Sequence, residues 1–232
     1  MKLFFLVLFV SLLTAGGALS SPAQTSNTGK IAEPKVTRTA AKRNAFDIST
    51  VDFKNYTFPD FGITKTEKTF TLTNGRAESR DQHPKYTLRK TYYFDLTDDE
   101  QDEAITHVIA DGCQMGCDSS NLFYIYTTEN ARPKLLWKIA NAGDILGGLK
   151  AIKFNSAEIV VEVFGDCAIN NSIITPNVDP TKSSDLKTTN YTRFVFSRSG
   201  DRFTQTAREL IPLPREKSYA NYRSQIIFGE EL

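Results

Sequence analysis

Histidine is scarce in this chain. Its 232 residues carry two, His83 and His107, together with three cysteines, Cys113, Cys117 and Cys167. A specific zinc signature needs two closely spaced ligand pairs, and a CxxxC with one distant histidine does not supply them. A cysteine nucleophile needs a base and an orienting partner, and no such set can be assembled here. Excess charge is missing too. The 28 basic and 27 acidic residues nearly cancel, which argues against a broad electrostatic footprint for nucleic acid or anionic lipid. After residue 13 no stretch is apolar for long enough to cross a bilayer. No helical stripe approaches fifteen residues. Gly143-Asp144-Ile145-Leu146-Gly147-Gly148 matches neither a phosphate loop nor a dinucleotide fingerprint, and it reads as a tight turn between strands.

What is present starts with an address. Lys2 precedes an apolar run from Leu3 to Leu13, followed by small residues and cleavage-type triplets at Ala18-Leu19-Ser20 and Ser21-Pro22-Ala23. This layout predicts a secretory signal peptide over residues 1–23, too short to persist as a span. Without Lys2, the mature chain has 27 residues of each sign. Residues 24–44 are poor in large apolar side chains and read as a flexible linker. Residues 45–232 suffice for a single domain with a good core.

Strand signals dominate that domain. The stretches 86–94, 121–128, 133–140, 149–154, 157–164, 191–197 and 202–210 are short and rich in β-branched and aromatic residues. Turn residues separate them, and Thr73-Asn74-Gly75 closes a further strand at 68–73. The expectation is an all-β fold: an antiparallel up-and-down meander forming a sandwich or propeller-blade-like sheets. Trp137, between Leu135 and Ile139, reads as core.

Residues 95–104, DLTDDEQDEA, hold six carboxylates and no positive charge. Taken alone, the stretch could start a helix, with Thr97 as N-cap and Glu100 completing a capping box. The longer run YYFDLTDDEQDEAITHVIA, however, resembles the strand–loop–strand unit of FG-GAP repeats in integrin-like propellers. It is closer still to exported bacterial proteins, mostly of unassigned function, with a DLTGDGKDEA-type segment. Residues 132–165 resemble the same proteins. The resemblance implies that residues 104–110 form a strand and that the acidic stretch is the turn before it.

Such a turn could hold calcium weakly. The ligand positions would be Asp95, Thr97, Asp99, Gln101 and Glu103. Glu100 stands where the sharp bend normally takes glycine, at a cost on the order of 1 kcal/mol. The competing reading is a solvated acidic turn without a cation.

In a simple meander, the acidic turn and the 129–132 and 155–156 turns share one end of the domain. Loops 111–120, 141–148 and 165–190, with all three cysteines, share the other. An exported protein of this kind is expected to hold one disulfide and one odd thiol. A Cys117–Cys167 bridge, with Cys113 as the alternative partner, closes the longer loop and is the expected pairing. The function these observations predict is non-enzymatic: a secreted or periplasmic module that binds a protein or cell-envelope ligand through the cysteine-end loops. No catalytic or cofactor residue is assigned, no nucleic acid is expected, and no membrane span should remain after signal cleavage. A metal- or carboxylate-dependent hydrolase and a structural envelope component are the alternatives.

Overall fold

Five consecutive residues, Leu122-Phe123-Tyr124-Ile125-Tyr126, are all buried, and they divide by parity. Leu122, Tyr124 and Tyr126 enter one apolar cluster, while Phe123 and Ile125 enter another. Successive side chains of a strand point to opposite faces, so this strand lies in a sheet covered on both sides. The computed structural model describes residues 46–62, 68–78, 84–113, 117–142, 148–177, 189–200, 202–214 and 225–229. All belong to one compact unit, Lys42–Leu232. The expected signal peptide and linker lie outside the described residues.

Two short 3-10 turns, Ile48–Thr50 and Phe53–Asn55, precede the strands. In chain order these are β1 (Thr57–Pro59), β2 (Thr69–Thr71), β3 (Arg76–Glu78), β4 (Lys85–Phe94), β5 (Glu103–Cys113), β6 (Cys117–Glu129) and β7 (Arg132–Ala142). There follow β8 (Leu149–Phe154), β9 (Glu158–Phe164), β10 (Cys167–Asn170), β11 (Ile173–Pro176), β12 (Asn190–Ser199), β13 (Arg202–Pro212) and β14 (Gln225–Phe228). No α-helix occurs among the described residues, and none of their helices is long and apolar enough to cross a membrane. The all-β expectation holds, and residues 103–113 form a strand.

The strands make three layers. The central sheet has the order β10-β11-β7-β6-β5-β4-β3, and the second has the order β13-β12-β9-β8-β14. Ile105, Phe123, Ile125, Trp137 and Ile139 of the central sheet pack on Ile152, Phe154, Val161, Phe194 and Phe196 of the second. Trp137 meets Phe196 edge-on at 5.2 Å. This is the sandwich core.

The other face of the central sheet is covered by the N-terminal segment and the small β1–β2 sheet, through Ile48, Phe53, Phe58, Phe61, Phe70 and Leu72. Phe70 stacks on Tyr86 with ring centroids 3.8 Å apart. The buried tyrosines also anchor this cover by hydrogen bonds: Tyr124 donates to the Pro59 carbonyl at 3.0 Å, and Tyr86 to Asp60 at 3.2 Å. Each fully buried large apolar side chain contributes roughly 1.5–3 kcal/mol, so the cover is part of the fold.

Local chemistry explains the turns. Asn74 and Gly75 have φ of +54° and +81°, the two positive values that a two-residue hairpin demands, and Thr73 and Arg76 exchange backbone hydrogen bonds across it. The β6–β7 turn puts Asn130 and Ala131 at +51° and +57°, and the β10–β11 turn puts Asn171 and Ser172 at +49° and +64°.

Two expectations need correction. The single meander stops at β7: β8 and β9 join the second sheet beside β12. Both are short, almost continuously buried runs, as β5 and β6 largely are, so nothing local distinguishes the two destinations. The expected loop 165–190 contains the β10–β11 hairpin, and β11 pairs in parallel with β7, Ile173 opposite Ala140.

Candidate functional site: the acidic turn and its two clefts

The acidic stretch joins β4 to β5 as a compact turn, with Asp98 at φ +55° and Glu100 at +65°. The bend anticipated at Glu100 is therefore present. Its carboxylates hold the backbone. Asp95 accepts the amide N–H groups of Asp99 (3.2 Å) and Glu100 (2.9 Å), and Asp99 accepts that of Gln101 (3.0 Å).

Glu103 is fully buried and acts as the hub of the turn. One oxygen accepts the N–H groups of Leu96 (2.8 Å) and Thr97 (3.0 Å); the other accepts the hydroxyls of Thr97 (3.3 Å) and Thr127 (2.9 Å). Burial pushes the Glu103 carboxyl above its ordinary value, with the Asp99 charge adding to the rise, while the hydrogen bonds from Thr127, Leu96 and Thr97 pull the other way. The Leu96 side chain is buried in the sandwich core. The turn is thus anchored through an apolar plug and a buried acceptor.

The five residues named for calcium do share this turn, but four of them are engaged with the protein itself. Asp95, Asp99 and Glu103 accept from backbone amides, and the Thr97 hydroxyl donates to Glu103. Among the described residues, no group of three or more His, Cys, Asp or Glu side chains converges in a way that could hold a metal ion.

Arg198, at the end of β12, fastens this turn to the second sheet. Its Nη1 donates to the Thr97 carbonyl and its Nε to the Gly200 carbonyl at 3.0 Å, while its own amide donates to Ala157 at 3.1 Å. The acidic turn, the β12–β13 turn and the β8–β9 turn therefore share one end of the sandwich.

Two clefts open beside the turn. One, of about 160 Å³, has Leu136 and Phe203 below, with Thr97, Asp99, Thr127, Thr128, Glu129, Lys134 and Arg198 among its lining. The other, of about 260 Å³, lies between Phe46–Ile48 and Glu100–Asp102. Thr128 borders both, and its hydroxyl donates to the Phe46 carbonyl at 3.4 Å.

The opposite end carries the cysteines. Cys113 and Cys117 are backbone partners at the mouth of the β5–β6 hairpin. Cys167 is a free thiol, fully buried in the sandwich core, so the expected Cys117–Cys167 bridge is not formed. The sheet order explains why. β10 is separated from β6 by β11 and β7, about 14 Å at the usual strand spacing, and a disulfide needs Cα atoms within roughly 7 Å. The alternative partner Cys113, on β5, is one strand farther still. Much of the predicted binding surface there (114–116, 143–147 and 178–188), like His83, lies outside the described residues.

His107 stacks on Phe123 at 4.5 Å and hydrogen-bonds Asn121 at 2.9 Å. Burial lowers its pKa to about 4, so it is a neutral packing element. The sequence reading missed one polar cluster. Glu162, 2% exposed, is paired with Lys150 and with Arg193 at 2.9 Å on the face of the second sheet away from the core. Burial opposes ionisation of Glu162, but the two cations outweigh it and hold the carboxyl below its ordinary range. Glu162 and Arg193 are cross-strand partners, so opposite charges at matching positions were the available signal.

No family model, characterised protein or solved structure matches this chain. The fold and site by themselves define a class, a β-sandwich with a third aromatic-lined cover layer and a polar end built around a carboxylate-held turn.

Proposed function

We propose that this chain is an exported, non-catalytic binding module that presents the acidic-turn end of its sandwich to a polar cell-envelope ligand. The observation that carries the proposal is the placement of both clefts beside one turn, with Thr128 bordering each. That turn is held by Glu103 from within and by Arg198 from the second sheet. A rigid platform lowers the ordering cost of binding.

The disposition of the reactive side chains supports a non-catalytic role. His107 is stacked within the core region, and burial pushes the Cys167 thiol up to about 12. The proposed binding end is opposite the cysteine end favoured from the sequence. Export is supported by the signal-type leader.

The test is a chemical-shift titration of the mature chain with soluble cell-envelope fragments, alongside mass analysis of the exported form. The expected results are shifts concentrated at residues 95–103, 127–129 and 198–200, and a mature N-terminus at Ser21 or Gln24. Turnover of the fragments, or shifts confined to the cysteine end, would overturn the proposal.

A further inference from the structure

The smaller cleft has a lining whose hydrogen-bond capacity and charge can be counted, and both restrict what fits. Its three threonine hydroxyls have already committed their protons. Thr97 and Thr127 donate to Glu103, and Thr128 donates to the Phe46 carbonyl. A hydroxyl carries one proton and two lone pairs, so all three offer acceptors to a ligand. Asp99 and Glu129 add carboxylate oxygens to the same lining. Asp99 uses one oxygen for the Gln101 amide, and Glu129 takes Lys134 at 2.6 Å. On the donor side, Arg198 has already given one N–H to Thr97 and one to Gly200, leaving three of its five. The lining therefore offers a ligand mainly acceptors, with guanidinium donors from Arg198.

Charge narrows the class further. Two carboxylates, Asp99 and Glu129, face two cations, Lys134 and Arg198, so the lining is balanced. A net anion or cation would gain from one pair and be repelled by the other, and partial burial makes each such contact count for more than in water. A neutral group rich in hydroxyl donors satisfies the lining without a charge penalty, and Leu136 and Phe203 give it an apolar floor. Size sets the last limit. At about 160 Å³ the cleft falls below the roughly 300–1,000 Å³ of pockets that engulf drug-sized ligands. It accommodates a single ring and leaves the rest of a longer molecule on the surface.

We infer that this cleft receives one neutral sugar ring of a polysaccharide chain, through hydroxyl donation to Thr97, Thr127, Thr128, Asp99 and Glu129 and acceptance from Arg198. The inference rests on the binding-module reading above and names the ligand class for the same end of the molecule.

The experiment is a chemical-shift titration of the mature chain with four neutral trisaccharides: cellotriose, maltotriose, mannotriose and the N-acetylglucosamine trimer. The galacturonic acid trimer and trilysine serve as acidic and basic comparisons. One ring of this size is expected to bind with a Kd of about 1 mM. Saturable shifts at the Thr97, Thr128 and Gly200 amides are expected with at least one neutral sugar. In the double variant D99N/E129Q, whose amides replace acceptor oxygens by donors, the affinity should fall about tenfold or more. Equal affinity in that variant would overturn the assignment. If the acidic or basic trimer moves these amides while every neutral sugar fails, the sugar inference falls and the binding reading survives. If no probe in the panel moves them, the sugar inference falls, and the binding reading is decided by the titration with cell-envelope fragments.

Discussion

Arg198 on the second sheet donates through Nη1 to the carbonyl of Thr97 in the acidic turn of the central sheet, across 101 positions of sequence. This contact ties the two layers together at the end where both clefts open. Removing it should therefore affect stability and the turn together. Arg198→Ala is expected to lose about 2 kcal/mol, from one charge-assisted hydrogen bond and its neighbour, lowering the melting temperature by roughly 4–8 °C in a domain of this size. Amide exchange at Asp99, Glu100 and Gln101 should accelerate in the same variant. An unchanged melting temperature with unchanged exchange would show that the latch contributes nothing.

Glu103 should be harder still to replace. Glu103→Ala leaves the Leu96 and Thr97 amides and two threonine hydroxyls without their acceptor, and a buried donor without a partner costs about 1–3 kcal/mol. Thermal unfolding should show a loss of at least about 2 kcal/mol, larger than for any single substitution at the exposed Asp98 or Asp102.

The pH dependence at Glu103 has a definite sign. Burial raises its folded-state pKa above the ordinary 4.5, so the folded state binds the proton more tightly than the unfolded one. Its contribution to stability is fully present below 4.5 and is lost as pH rises through the folded value. In Glu103→Gln that component is absent. Unfolding free energy, measured by denaturant from below pH 4.5 upward, should fall less with rising pH in the variant than in the wild type. A steeper fall in the variant would contradict the assigned direction.

Ala131 has φ +57° in the β6–β7 turn, where a side chain with a Cβ is strained by about 1 kcal/mol. Ala131→Gly relieves that strain at some cost in unfolded-chain entropy. A net gain of about 0.5 kcal/mol is expected, visible as a higher denaturant midpoint with an unchanged slope. A lower midpoint would mean that the turn does not need the left-handed conformation.

Cys167 should be chemically silent in the folded protein. Burial pushes its thiol up to about 12, the Asp166 charge adding to the rise and Arg208 opposing it. In a C113S/C117S chain at pH 8, iodoacetamide labelling followed by mass spectrometry should leave Cys167 unmodified until denaturant is added. Rapid labelling of the native chain would place the thiol outside the core.

The longer strands of this protein were largely legible from their β-branched and aromatic content and from the turn residues between them. The Asn74-Gly75 turn was legible for a similar reason: positive φ is a local demand that few residues meet. The acidic stretch by its own pattern could equally start a helix; the resemblance to calcium-loop repeats made it a turn and pointed to the strained position at Glu100. The role of its carboxylates could not be anticipated. Whether Asp95 and Glu103 face a cation or their own backbone depends on how deeply the turn is drawn into the sandwich by Leu96 and on the second sheet that Arg198 brings against it.

The sequence by itself determined most of the longer strands, the neutral charge balance and the Asn74-Gly75 turn, properties of composition and of short windows of chain. Only the tertiary structure decided that β8 and β9 leave the meander, that Cys167 lies three strands from Cys117, and that two clefts flank the carboxylates. Those outcomes depend on which strand edges pair and which faces are covered. Two strands with the same local pattern can join either sheet, and only the packing of distant residues chooses between them.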